Sequence, residues 1–298
     1  MYQMKEKRTT LKELVEKECI VAPCIYDCAS AKAAEIAGYK ALLLSGGEIE
    51  EAQFGLPNMG IHTIDDLCEI TYNISSVSPL PISVDMDNGF GEPLAVFRNC
   101  ERLVRAGAMG IQLEDKACEG QNKLLSRKDY IAKIKAAVDA VKGTDCIIIA
   151  RNHVDISEDP DEAVARALEA LEVGAEMTLC LPRNMEQAKY IADRVPGWKM
   201  FPDIGCDKFG NPTADVPELA AMGYNFVTMH FFLKADMNAM IRHGRENLKN
   251  LNNSYTCGEE IDGIYGASGM PFWHAQEFLD LENKWTGENK KWKGAAPR

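Results

Sequence analysis

The sequence contains no apolar run as long as a membrane span and no lysine- and arginine-dense block apart from the short tail KKWKGAAPR. It also has no repeated CxxC and no GxGxxG after its first apolar stretch. The first absence argues against a membrane-spanning helix. The second, at a formal net charge of -12 from 33 basic and 45 acidic residues, makes nucleic acid and acidic membrane surfaces poor partners. A small anion gripped locally by arginine stays open. Ten cysteines are scattered, several inside apolar runs such as DCIIIA and MTLCLP, so a zinc or disulfide framework is not expected and reduced thiols are. The segment MYQMKEKRTTLKELVEKE is too charged for a signal peptide, and a cytoplasmic location is expected. The missing glycine fingerprint counts against a dinucleotide-binding fold.

Across 298 residues, 46% of them hydrophobic, eight short β-rich runs alternate with helix-period segments. The runs are CIVAPCI (19–25), KALLLS (40–45), PISVDMD (81–87), GIQLED (110–115), CIIIAR (146–151), EMTLCL (176–181), KMFPDI (199–204) and NFVTMH (225–230). Continuous apolar strands separated by helices describe a parallel sheet covered on its outer face. Eight of them at this length predict a closed (β/α)8 TIM barrel. We read residues 1–298 as one barrel domain in which 266–298 form a C-terminal helical extension. Its aromatics look exposed, so it packs on its own barrel or on a neighbour's.

In such barrels chemistry gathers at the C-terminal ends of the strands. These ends offer Ser45 with Gly46 and Gly47, then Asp85 and Asp87, Glu114 and Asp115, Arg151 with His153, Asp203 and His230. Strand alternation through DMD puts Asp85 and Asp87 on one face. Several carboxylates from two adjacent strands would repel one another unless a divalent cation lay between them, and oxygen-only ligands suit Mg2+ or Mn2+. The SGG turn offers backbone N–H groups for a substrate carboxylate, and Arg151 can grip one bidentately. Cation, arginine and N–H donors together fit a reaction through an enolate. His62 and His243 read as ordinary surface or helix histidines.

The words LLSGGEIEEAQFGLPNMGIHT, PISVDMDNGFGEP, AGAMGIQLEDK and IIIAR, in this order, resemble the isocitrate lyase and phosphoenolpyruvate mutase superfamily. The resemblance implies a (β/α)8 barrel with a helix swapped between subunits, a dimer or tetramer, and a metal held by Asp87 with Asp85 and Glu114 in support. It also implies that Ser45, Gly46 and Gly47 bind the substrate carboxylate, with Arg151 at its other end and Asn58 and His153 nearby. Arg151, Asp85 and Cys118 form the implied catalytic group, with Cys118 in the shortened loop KACEGQNK as proton donor. Leu181 stands where such chains carry a glutamate, and PDIGCDKFG replaces their usual word after the seventh strand. The expected activity is therefore Mg2+-dependent carbon–carbon cleavage of a small 2-hydroxy or 2-oxo dicarboxylic acid, of the methylisocitrate or dimethylmalate lyase or oxaloacetate decarboxylase type. Carbon–phosphorus chemistry on a phosphonopyruvate-like acid and a non-catalytic organic-acid-binding barrel are the alternatives.

Overall fold

The computed structural model describes residues 8–117, 123–258 and 273–291. Its eight strands are β1 (Ile20–Ile25), β2 (Leu42–Leu44), β3 (Ile82–Asp85), β4 (Ala108–Glu114), β5 (Ile147–Arg151), β6 (Met177–Leu179), β7 (Trp198–Phe201) and β8 (Tyr224–Met229). All neighbours run parallel, in the order β1 to β8, and β8 returns to β1 to close the barrel. The helices among the described residues are α1 (Leu11–Val15), α2 (Cys28–Ile36), α3 (Gly46–Ile49), α4 (Ile64–Val77), α5 (Pro93–Ala106) and α6 (Arg127–Val141). They continue with α7 (Pro160–Glu172), α8 (Met185–Ala192), α9 (Val216–Ala221), α10 (Phe232–Asn250), α11 (Ser254–Gly258) and α12 (Ala275–Thr286). A π-helical turn, Glu50–Phe54, follows α3 directly.

The apolar runs are continuous because each strand is covered on both faces. Ile147 and Ile149 point into the barrel with Leu43, Met177, Met200 and Phe226. Ile148 and Ala150 point outward among Tyr130, Ile134 and Leu103 of the covering helices. Each such fully buried aliphatic side chain contributes about 1.5–3 kcal/mol. One end of the barrel is plugged by α1, whose Leu11 and Val15 join the interior cluster. Leu11 Cδ2 would lie 2.7 Å from a Cβ at Gly110, so a side chain there would push against the plug. Thr10 and Glu13 form a reciprocal capping box that starts this helix.

The chain divides into two compact units, Met1–Leu233 and Lys234–Arg298. The first holds the barrel. The second contains most of α10 and all of α11 and α12, and Phe278 and Trp285 of α12 are 60% and 74% exposed. No helix among the described residues is long and apolar enough to cross a membrane.

Candidate active site

The opening of the barrel at the strand C-termini is built around the end of β3. Asp85 is its last residue, and Met86 is buried beneath the turn that follows. Asp87 does not reach the site by strand alternation, as the DMD pattern suggested. It sits in the left-handed region with φ 44°, and Gly89, Phe90 and Gly91 also have positive φ, so the strand ends at Asp85, two residues earlier than expected. The turn is tied down by the Asp87 N–H donating to Asp85 Oδ1 at 3.2 Å and the Glu114 N–H donating to the Asp87 carbonyl at 2.9 Å.

Glu114 closes β4 and Arg151 closes β5, paired in register across the sheet. Arg151 Nη1 donates to Asp85 Oδ2 at 2.7 Å, while its Nε lies 3.6 Å from Glu114 Oε2. Glu114 Oε2 also meets His153 Nε2 at 2.7 Å. The other oxygen, Glu114 Oε1, is buried without a hydrogen-bond partner. A buried carboxylate oxygen left open in this way is what a cation or its bound water would satisfy, so the residues fit Mg2+ or Mn2+. They do not form one compact shell. Among the described residues, the group whose ligand atoms all lie within 4.8 Å of one another is Cys24, Glu48 and His230. The acidic trio is therefore suited to a cation that keeps water between itself and some of its carboxylates.

Asp115 is not a fourth member. It is completely buried, forms a 2.9 Å ion pair with Arg166 of α7, and accepts the His153 N–H at 2.8 Å. Burial pushes its pKa up, against the pull of His153 and Arg166. Its role is to hold the start of the loop after β5, which presents the His153 ring to Glu114.

His62 is a residue that sequence reasoning misjudged. Far from being a surface histidine, it is buried, with Nδ1 donating to Glu50 Oε1 at 2.8 Å and Nε2 standing 3.6 Å from Asp87 Oδ2. Glu50 also accepts the N–H groups of Met59 at 2.7 Å, of His62 at 2.9 Å, and of Ile61. Burial raises the Glu50 pKa, yet these hydrogen bonds outweigh it and hold the carboxyl below its ordinary value. One buried carboxylate thus folds the loop that carries Asn58 and His62. No local motif announces the Glu50–His62 pair, since its members lie twelve positions apart across an irregular segment.

A cavity of about 310 Å3 opens here. Ser45, Gly47, Asn58, Asp85, Asp87, Glu114, Lys116 and Arg151 line it, and its remaining wall is made by Leu43, Gln112, Leu179, Met200, Pro202, Asp203 and His230. Ser45 precedes α3, so Gly46 and Gly47 occupy a first helical turn, whose N–H groups have no acceptor within the helix. Gly46 backs onto His62, where a Cβ would lie 2.6 Å from Cε1, and at Gly47 a Cβ would lie 2.2 Å from Asn58 Nδ2. His153 touches Glu114 and is not among the lining residues. Cys118 lies outside the described residues. His230, which the sequence placed at a strand end without a role, carries a raised pKa: burial lowers it, but Glu48, Asp203 and Asp85 outweigh that.

Carboxylates, an arginine and backbone donors thus ring one pocket at the strand C-termini of a closed TIM barrel. Residues 11–248 match the phosphoenolpyruvate phosphomutase family, and the chain belongs to it. It is 34% identical over 282 residues to 2-methylisocitrate lyase of Aeropyrum pernix, covering 91% of this chain and 85% of that one. It is 30% identical over 223 residues to 2,3-dimethylmalate lyase of Eubacterium barkeri, covering 72% and 76%. Among solved structures, oxaloacetate acetylhydrolase in complex with its product oxalate superposes with a TM-score of 0.79 at 28% identity, covering 93% of this chain and 97% of that one.

Proposed function

We propose that the protein is a Mg2+-dependent lyase that breaks a carbon–carbon bond in a small 2-hydroxy or 2-oxo dicarboxylic acid. The observation that carries this reading is the meeting of Asp85, Asp87, Glu114 and Arg151 with Ser45 and Gly47 around one cavity. The two lyase relatives support the same class of reaction.

Asp87 would hold the cation, with Asp85 and Glu114 accepting hydrogen bonds from its water. When bound, the cation supplies Lewis-acid stabilisation to the negative charge that develops on the substrate's C2 oxygen. Ser45 and the Gly46 and Gly47 N–H groups bind the adjacent carboxylate. Arg151, already fixed by Asp85, adds permanent positive charge beside the developing enolate, and its planar fork orients the acid. Glu50 and His62 brace Asp87 from behind. His153 steadies Glu114. The far wall of Leu43, Leu179, Met200 and Pro202 suits alkyl carbon beyond the reacting bond, as a methyl-branched acid would provide. A homo-oligomer, with α12 contributing to its interface, is part of this reading.

The test is proton NMR of the purified protein with Mg2+ against oxaloacetate, 2-methylisocitrate, isocitrate, 2,3-dimethylmalate and phosphonopyruvate, repeated after chelation. Metal-dependent appearance of pyruvate or glyoxylate with a second carboxylic acid is the expected result. Pyruvate from oxaloacetate alone, above the metal-only background, would narrow the activity to decarboxylation. Turnover only of phosphonopyruvate would overturn the carbon–carbon assignment.

A further inference from the structure

One cluster beside the cavity, reaching it through His230, has no task in the chemistry above. Cys24 lies on β1 and is fully buried, Glu48 lies in α3, and His230 follows the last residue of β8. One ligand atom from each lies within 4.8 Å of the other two. The imidazole and carboxylate are not joined by a good hydrogen bond, since His230 Nδ1 stands 3.6 Å from Glu48 Oε1. That spacing is close to the ~3.3 Å separating two nitrogen or oxygen ligands of one tetrahedral ion with bonds of ~2.0 Å. Glu48 Oε2 is buried and has no hydrogen-bond partner. Asp203 accepts the His230 backbone N–H at 3.0 Å and so fixes where this residue leaves the strand.

The donor set differs in kind from the acidic trio. Thiol, imidazole and carboxylate together prefer zinc and its neighbours over magnesium, whereas Asp85, Asp87 and Glu114 offer hard oxygen alone. We propose that Cys24, Glu48 and His230 form a second cation site, selective for Zn2+-class ions, whose fourth position opens into the substrate cavity. Without an ion, burial and the charges of Glu48, Asp203 and Asp85 keep the Cys24 thiol protonated. On binding, the Sγ–H bond breaks, its proton leaves to solvent, and an Sγ–metal bond forms with no change of oxidation state. Open geometry with three protein ligands leaves room for water or for an oxygen of a bound acid. The site is independent of the catalytic assignment, and its test does not read activity.

The experiment is a Co2+ titration of the full-length protein, stripped of metals and then supplied with excess Mg2+ so that the acidic site is occupied. A near-ultraviolet thiolate-to-cobalt charge-transfer band should grow and saturate near one Co2+ per chain, and Zn2+ should bleach it. Cys24→Ser should abolish the band, while Cys206→Ser, at an exposed thiol, should leave it intact. Glu48→Gln retains the thiol and should weaken Co2+ binding at least tenfold, which keeps the idea testable if Cys24→Ser does not fold. A wild-type protein with no saturable band, or a band that survives in Cys24→Ser, would overturn the proposal and leave a histidine–carboxylate ion pair beside the cavity. Unchanged Co2+ affinity in Glu48→Gln would do the same.

Discussion

Gly47 has space for a hydrogen atom and little more, because Asn58 Nδ2 would sit 2.2 Å from any Cβ placed there. Gly47→Ala should swing the exposed Asn58 side chain out of the cavity at little cost in stability. Steady-state kinetics on the acid identified by NMR should then show kcat/KM falling about tenfold, a loss of about 1.4 kcal/mol of transition-state binding. Glu50 is the opposite case, a buried charge that a loop depends on. Glu50→Gln should lower stability by about 1–3 kcal/mol in urea denaturation, since an amide replaces a carboxylate that four donors address. The pH dependence follows from its depressed folded pKa. This carboxylate's contribution is fully present above the ordinary glutamate range and is lost as pH falls through the folded value, so Glu50→Gln should flatten the acid limb of the stability profile. At this scale the sequence was readable where a strand end fixes a side chain, as for Asp85, Glu114 and Arg151. It misled where a loop does the placing: the left-handed turn at Asp87 breaks the alternation, and His62 is buried by hydrogen bonds that leave no period.

Between elements, Asp115 and Arg166 join the end of β4 to α7 inside the protein, and Glu162 extends the chain of charges to Arg127 on α6. Removing one partner of a buried pair strands the other, at a cost of about 3–5 kcal/mol. Arg166→Met should therefore shift the urea midpoint far more than Asp115→Leu combined with Arg166→Leu, which leaves no orphaned charge. Equal losses in the two proteins would show that packing rather than charge holds α7 there. The elements themselves were legible because a parallel strand covered on both faces is apolar throughout and short. Five of the eight runs contain their strands whole, while GIQLED, KMFPDI and NFVTMH begin one or two residues inside theirs, and LAVFRNCERLVRAG falls on α5 with Gly107, φ 107°, ending it. Charge placement was not: nothing in QLED distinguishes Glu114, which faces the cavity, from Asp115, which faces a helix.

For the whole molecule, an ion bound only by the folded state raises stability by mass action, about 2.7 kcal/mol at a hundredfold excess over Kd. Mg2+ should raise Tm in the wild type and fail to do so in Asp87→Asn, chosen because asparagine accepts the positive φ that alanine would resist. A Mg2+ shift that persists in this variant would move the cation away from Asp87. The barrel also has a seam. Ile20 pairs with Phe226 and Pro23 with Met229, so β1 waits for nearly the whole barrel to be synthesised before it finds its neighbour. Until then β1 and β7 are bare sheet edges that invite association with other chains. Pairing across such a sequence separation is also slow, because a large loop must close before any contact rewards it. Asp85, Asp87 and Glu114 could gather on a half-built sheet, but the wall holding His230 exists only after the seam closes. A nascent chain cut short before Tyr224 would carry its acidic cluster without an enclosed pocket, so competence to bind substrate should appear abruptly with the last strand.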